Sequence, residues 1–179
     1  MVEFFIGGCR SGKSKAALER ADRIGTSRKL FLATCQPLDA EMRARIERHK
    51  AERDQTWETI EEPLEIAALI RNHTEPQTVI LVDCLTLWLT NLVLGDADDT
   101  ALQQRIEALE DSLSTARGPV LLVANEVGLG IVPENAMSRR FRDWAGSLNQ
   151  RMARCAQRVV WTVAGIPVPI KFPSRSDMP

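Results

Sequence analysis

The octapeptide GGCRSGKS, residues 7–14, fits the pattern G-x-x-x-x-G-K-S/T without adjustment. It lies between a short apolar run, residues 2–6, and a stretch with helical periodicity, residues 13–24. A glycine-rich turn in this position directs backbone N–H groups and the positive end of the helix toward an anion. The strand before it and the helix after it distinguish such a loop from a chance match. The sequence therefore predicts a loop that binds the phosphates of a nucleoside triphosphate.

The loop residues differ in their expected roles. Gly7 and Gly12 permit the backbone angles that turn successive N–H groups inward. Lys13 would meet the β- and γ-phosphates, and Ser14 would place its hydroxyl on Mg²⁺. A second metal ligand, a carboxylate, is expected at Asp83, which ends the apolar run VILVD. Because a helical stretch follows it, Asp83 is also a candidate helix N-cap, and both roles are compatible.

Short β-branched apolar runs alternate with longer amphipathic stretches along the chain. The strand candidates are residues 2–6, 29–34, 78–83, 119–124 and 158–165. The helix candidates are residues 13–24, 38–53, 64–73, 85–94, 99–117 and 135–156. This alternation predicts an α/β fold in three layers, with a mainly parallel sheet and helices on both faces. We expect one domain over residues 1–171, an antiparallel edge strand at 168–171, and a flexible tail over 172–179.

The composition excludes several classes of protein. The 179 residues carry a formal net charge of −1, which gives no electrostatic reason to expect a nucleic-acid partner. No apolar run reaches the roughly 18–20 residues that a membrane-spanning helix needs. The N-terminus lacks the basic region of a signal peptide and its apolar run is too short for one, so we expect a cytoplasmic protein. The four cysteines form no CxxC pair, which argues against a metal cluster or a disulfide framework.

One of the two histidines, His49, lies in the charged stretch RIERHKAERD, residues 45–54. The cations Arg48, Lys50 and Arg53 favour a neutral imidazole and attract phosphate. A neutral imidazole is a competent nucleophile toward phosphorus and would form a phosphoramidate. Most histidines on helix surfaces are simply solvated, however. The local sequence therefore leaves both a catalytic and a solvated His49 open.

Five segments, taken in order along the chain, carry a resemblance to a known family. They are GGCRSGKS (7–14), LATCQPLDAEMRARIERHKAER (32–53), VDCLTLWLTNLV (82–93), NEVGLGIVPEN (125–135) and FRDWAGSLNQRMA (141–153). Together they resemble the bifunctional adenosylcobinamide kinase/adenosylcobinamide-phosphate guanylyltransferase family of cobalamin biosynthesis. The similarity extends from about residue 2 to Lys171, which is nearly the whole chain.

The resemblance implies two successive reactions. Adenosylcobinamide is first phosphorylated with ATP or GTP, and GMP is then transferred from GTP onto that phosphate. The products of the second reaction are adenosylcobinamide-GDP and pyrophosphate. In the family this second step passes through a guanylylated histidine, and the matching residue here is His49. The resemblance further implies a phosphate-loop domain similar to a recombinase core, Mg²⁺, and a homotrimer.

The resemblance also implies a set of nucleotide contacts. Matched position by position, they are Gly7, Gly8, Cys9, Arg10, Ser11, Gly12, Lys13, Ser14, Ala33, Thr34, Cys35, Lys50, Ala51, Glu52, Arg53, Glu61 and Asp83. The sequence departs from the usual family pattern at two of these positions. Cys9 stands where many members have alanine, and Cys35 stands where serine is usual. Cys35 keeps the small size but replaces a good hydrogen-bonding hydroxyl with a weak one.

Two rival functions remain open from the sequence. A phosphate-loop kinase for another small hydroxylated substrate would leave His49 without a catalytic role. A nucleotide-binding switch would act through partner proteins, although the chain has no NKxD-like element for guanine. The kinase would transfer only the γ-phosphoryl group and would form no GMP adduct.

Overall fold

The structure, a computed structural model, describes residues 1–36, 55–95 and 97–173. Its strands are β1 (Val2–Gly7), β2 (Arg28–Ala33), β3 (Trp57–Glu61), β4 (Thr78–Asp83), β5 (Val120–Asn125), β6 (Arg158–Val163) and β7 (Ile166–Lys171). Its helices are α1 (Lys13–Ile24), α2 (Ile66–His73), α3 (Leu85–Leu94), α4 (Asp99–Ser114) and α5 (Ala136–Cys155). The helix predicted at residues 38–53 lies outside the described residues, as do residues 174–179 of the predicted tail.

In the described part of the chain the strands form one seven-stranded sheet in the order β3-β2-β4-β5-β1-β6-β7. Neighbouring strands are parallel except β6 and β7, which are antiparallel. The strand that leads into the phosphate-binding loop, β1, is central and pairs with both β5 and β6. Because the parallel strands all end at the same edge of the sheet, the residues that follow them meet there. The predicted mainly parallel α/β sheet is confirmed.

Alternate residues of each central strand enter two separate hydrophobic cores. Phe5, Leu81 and Val123 pack with Ala17 and Ala21 of α1 on one face of the sheet. The opposite residues of the same strands pack against α2, α3, α4 and α5 on the other face. Burial on both faces explains why these strands are almost uniformly apolar. The described helices therefore cover both faces, as the three-layer prediction requires.

The structure corrects two strand predictions. The strand β3, which pairs in parallel with β2 at an edge of the sheet, was not predicted. Its sequence, WETIE, mixes exposed polar residues with one buried tryptophan, so it lacks the apolar run of a central strand. The single strand predicted over 158–165 is wrong at its end. Ala164 and Gly165 have φ angles of 50° and 82°, and they form the two-residue turn between β6 and β7.

The predicted edge strand near the C-terminus is confirmed and begins earlier than expected, at Ile166. It contains Pro167 and Pro169, which donate no backbone hydrogen bonds. Proline is tolerated here because β7 is the last strand of the described sheet and pairs on one side only.

Candidate functional site

The predicted phosphate-binding loop connects β1 to α1 and is a compact turn. Gly12 caps the helix with a φ of 91°, in the left-handed region that favours glycine. The Ser11 N–H donates to the Gly8 carbonyl across 3.2 Å. The Lys13 ammonium is buried and donates to the same carbonyl across 3.0 Å. The loop therefore holds a buried cation at a helix N-terminus, an arrangement suited to binding the phosphates of a nucleotide.

The loop rests against the turn between β6 and β7, a contact that the sequence analysis missed. The Gly165 N–H donates to the Ser11 carbonyl across 2.9 Å. A Cβ added to Gly12 would lie 3.2 Å from the Gly165 Cα, so the two backbones approach closely. The hydroxyls of Ser11 and Thr162 are buried and have no hydrogen-bond partner among the described residues. The turn thus contacts the phosphate-binding loop at Ser11 and Gly12 and helps to fix the position of the loop.

Asp83 ends β4 at the same edge of the sheet and is followed by the buried Cys84. Burial raises the pKa of the Cys84 thiol to about 12; the charge of Asp83 adds to this rise and the charge of Lys13 opposes it. At neutral pH the thiol stays protonated, so Cys84 is not a nucleophile.

The strand register brings a second group of predicted residues together. Ala33, the last residue of β2, is level with Glu61 on β3 and with Asp83 on β4. The next residue, Thr34, is completely buried, and Cys35 is partly exposed. The end of β2 lies three strand positions from β1, which is about 14 Å at the usual spacing of about 4.8 Å between strands. That span suits an extended nucleotide whose phosphates occupy the loop.

Some of the remaining predicted site residues lie in the described part of the chain and others lie outside it. Gly8, Cys9 and Arg10 lie in the loop, exposed to solvent. Ser14 follows Lys13 in the first turn of α1. The residues of the second predicted helix lie outside the described part of the chain: His49, Lys50, Ala51, Glu52 and Arg53.

The segment NEVG begins at the end of β5, next to the loop. The Glu126 N–H donates to the Gly7 carbonyl across 3.0 Å. The Gly128 N–H donates to the Glu126 carboxylate across 2.5 Å, and Arg142 of α5 donates to the Gly128 carbonyl. The segment is therefore tied to the last residue of β1 and to α5. It lies beside the phosphate loop, as expected for the loop that follows β5.

A model of the family described as cobinamide kinase / cobinamide phosphate guanyltransferase matches residues 3–170. The chain belongs to this family. A bifunctional adenosylcobalamin biosynthesis protein of Pseudomonas aeruginosa, CobP, is 47% identical over 171 residues, which cover 96% of this chain and 98% of the relative. The corresponding protein of Escherichia coli, CobU, is 44% identical over 184 residues, which cover 96% of this chain and all of the relative. The resemblance inferred from the five sequence segments is confirmed.

The fold has distant structural relatives. The RadB recombinase superposes with a TM-score of 0.51 at 12% sequence identity, over 89% of this chain and 73% of the recombinase. At that identity the likeness concerns the fold alone, and it supports the predicted recombinase-like phosphate-loop core.

Membership of the cobinamide kinase/guanyltransferase family makes the chain a bifunctional transferase of cobalamin biosynthesis. Use of ATP or GTP and of a cobinamide substrate is implied by these two activities. Among the described residues, no helix is both long and apolar enough to cross a membrane.

Proposed function

We propose that the enzyme phosphorylates adenosylcobinamide with ATP or GTP and then transfers GMP from GTP to adenosylcobinamide-phosphate through His49. The observation that carries the proposal is that the loop with the buried Lys13 follows β1 and that Asp83 ends β4 at the same edge of the sheet, in a chain that matches the family over residues 3–170. Phosphoryl-transfer sites commonly combine a phosphate-binding loop with a nearby carboxylate that holds the metal ion.

In the kinase step the loop residues hold the triphosphate. Its backbone N–H groups and the N-terminus of α1 face the β- and γ-phosphates, and Lys13 stabilises the charge that develops on the transferred group. Ser14 and Asp83 are the oxygen ligands that fit Mg²⁺, because a hydroxyl and a carboxylate are hard donors and both lie at the same edge of the sheet. When bound, Mg²⁺ neutralises phosphate charge.

In the guanylyl step a ring nitrogen of His49 attacks the α-phosphorus of GTP. The P–N bond forms as the bond to the bridging oxygen of the β-phosphate breaks, and pyrophosphate leaves. A phosphate oxygen of adenosylcobinamide-phosphate then attacks the same phosphorus, and the P–N bond breaks to restore the imidazole. Two displacements let one site handle two bulky substrates in turn. The proposal is supported by the cations that flank His49 in the sequence and by the family match.

GTP labelled at the α-phosphate tests the role of His49. The wild-type protein should retain an acid-labile, alkali-stable label, because phosphoramidates hydrolyse in acid. His49→Ala should carry no label, and His73→Ala should be labelled like the wild type. His73 is the matched control, since it is the other histidine and ends α2. A label on His49→Ala, or none on the wild type, would show that the covalent role is wrong.

We further propose that the chain forms a cytoplasmic homotrimer. The cytoplasm supplies the nucleoside triphosphates that both reactions consume. Support for assembly comes from the β6–β7 hairpin, which exposes large apolar side chains. They are Trp161, Val163, Ile166, Val168 and Ile170. Sedimentation equilibrium should give three times the 20.0 kDa mass of one chain, and Val168→Asp should lower that mass. A monomeric wild type would contradict the trimer.

A further inference from the structure

The motif VDCLTLWLTNLV forms the end of β4 and most of α3, and three of its polar side chains, Thr86, Trp88 and Asn91, bind the backbone of other segments. Thr86 accepts a hydrogen bond from the Asn125 N–H across 2.7 Å at the end of β5. The Trp88 indole N–H donates to the Leu64 carbonyl across 2.8 Å, just after β3. Most of the remaining residues of the helix are apolar and buried. The side chains of Thr86, Trp88 and Asn91 are therefore placed to fix the ends of strands and the residues that follow them.

Asn91 makes the most extensive of these contacts. Its side-chain nitrogen donates to the Thr34 carbonyl across 2.8 Å and to the Pro63 carbonyl across 3.1 Å. Thr34 follows β2, and Pro63 lies two residues after β3. The amide carries two N–H donors, so both are used on carbonyls of two different strand ends. One side chain thereby joins the ends of β2 and β3 to α3.

Thr34 extends this connection to β4. Its hydroxyl donates to the Cys84 carbonyl across 2.7 Å and accepts from the Cys84 N–H across 2.9 Å. The residue is completely buried, so this hydroxyl is committed to the backbone next to Asp83. A continuous hydrogen-bonded chain from Asn91 through Thr34 to Cys84 therefore fixes β2 and β3 relative to the strand that ends at Asp83.

We propose that Asn91 is a positioning residue for the nucleoside half of the bound nucleotide. It holds the segment 33–35 and Glu61 at a fixed place relative to Asp83 and the phosphate loop. The inference rests on the proposed function and on the nucleotide contacts that the family resemblance implies for these segments. Preorganised contacts bind more tightly because the entropic cost of ordering the strand ends has already been met during folding and does not reduce the free energy of binding. Both hydrogen bonds of the Asn91 amide go to residues after β2 and β3, and β2 is separated from β1 by β4 and β5, so we expect the phosphate loop to depend little on Asn91.

Comparing two ligands separates the two halves of the site. Inorganic triphosphate probes the phosphate loop alone, and GTP probes the loop and the nucleoside contacts together. In Asn91→Leu, which keeps the shape but removes both donors, the Kd for GTP should rise roughly tenfold while the Kd for triphosphate changes by less than about twofold. In steady-state assays the KM for GTP should rise more than kcat falls, because the reacting groups stay in place.

Two further variants control the experiment. Thr90→Val removes a hydroxyl one residue away that, among the described residues, donates to the Thr86 carbonyl within α3, and it should leave both Kd values unchanged. Asn91→Gln retains the amide on a longer side chain and should raise the Kd for GTP less than Asn91→Leu does. It also keeps the test decisive if Asn91→Leu does not fold, as judged by its melting transition.

The outcomes distinguish this inference from the proposed function. If the wild type binds GTP no more tightly than triphosphate, the assignment of nucleoside contacts is wrong. If the wild type prefers GTP and the folded Asn91 variants keep that preference, only the positioning role is overturned. Equal weakening of GTP and triphosphate binding would also overturn it, because the effect would then be general rather than confined to the nucleoside half.

Discussion

Replacing Gly7 with alanine should weaken nucleotide binding and slow both transfer reactions strongly. A Cβ at this position would lie 2.4 Å from the Thr162 carbonyl oxygen and 2.7 Å from the Ser11 hydroxyl oxygen. The carbonyl cannot move away easily, because Thr162 is paired with Gly7 between β6 and β1. The phosphate loop must shift instead. A misplacement of about 1 Å in a transfer site costs roughly 10²-fold in rate, so we expect at least that loss of kcat/KM.

Gly8→Ala is the matched control for the packing argument. A Cβ on Gly8 would meet no atom within 4 Å, so the variant should melt at the wild-type temperature. The measurements are the Kd for GTP, the kcat/KM of the kinase step and the melting temperature of each variant. A Gly7→Ala protein that binds GTP with wild-type affinity would show that the loop tolerates the displacement and that the contact with β6 does not set its position.

The central part of the fold was predictable because its signals are local. Uniformly apolar strands, helical periodicity and a glycine loop between them are all contained within short windows of sequence. The edge strand β3 was not predictable in this way. It exists because β2 offers a free edge for pairing, and its own residues carry only one buried anchor, Trp57. Tertiary pairing of this kind overrides weak local preference.

The site residues likewise fall into those that local sequence predicts and those that depend on tertiary contacts. The glycines, Lys13 and Ser14 belong to one continuous motif, so sequence reasoning found them. The support from Gly165 joins residues about 150 positions apart and depends on β6 lying next to β1. Asn91 lies in the motif VDCLTLWLTNLV, but its role depends on α3 contacting the residues that follow β2 and β3. The sequence does place a polar residue in a largely apolar helix, and such a residue is expected to form hydrogen bonds within the protein.

The role of His49 rests on the sequence and on the family resemblance, and no contact among the described residues contributes to it. The local sequence permits an imidazole nucleophile, and the family resemblance selects this histidine rather than His73. The helix predicted around it lies outside the described residues. The covalent role stays a prediction, which the labelling experiment decides.

Arg20→Ala should produce a large loss of stability although it lies away from the phosphate loop. Glu3 on β1 is almost completely buried beneath α1, and the Arg20 guanidinium donates to both of its carboxylate oxygens. The Nε distances are 3.0 Å, and Nη2 donates to one oxygen across 2.6 Å. Removing the guanidinium leaves the carboxylate buried without that partner. We expect a loss of about 3 kcal/mol, since breaking a buried pair from one side is far costlier than losing a surface pair.

Arg28→Ala provides the comparison, because Arg28 also binds a glutamate, Glu58, but both side chains are about half exposed. Loss of this surface pair should cost less than about 1 kcal/mol. Urea unfolding followed by circular dichroism measures both values, and the melting temperature of Arg20→Ala should fall by roughly 6–12 °C. The double variant Glu3→Leu, Arg20→Leu should recover part of the loss, because it removes the buried charge together with its partner. Equal effects of Arg20→Ala and Arg28→Ala would mean that burial of Glu3 does not govern the strength of its ion pair.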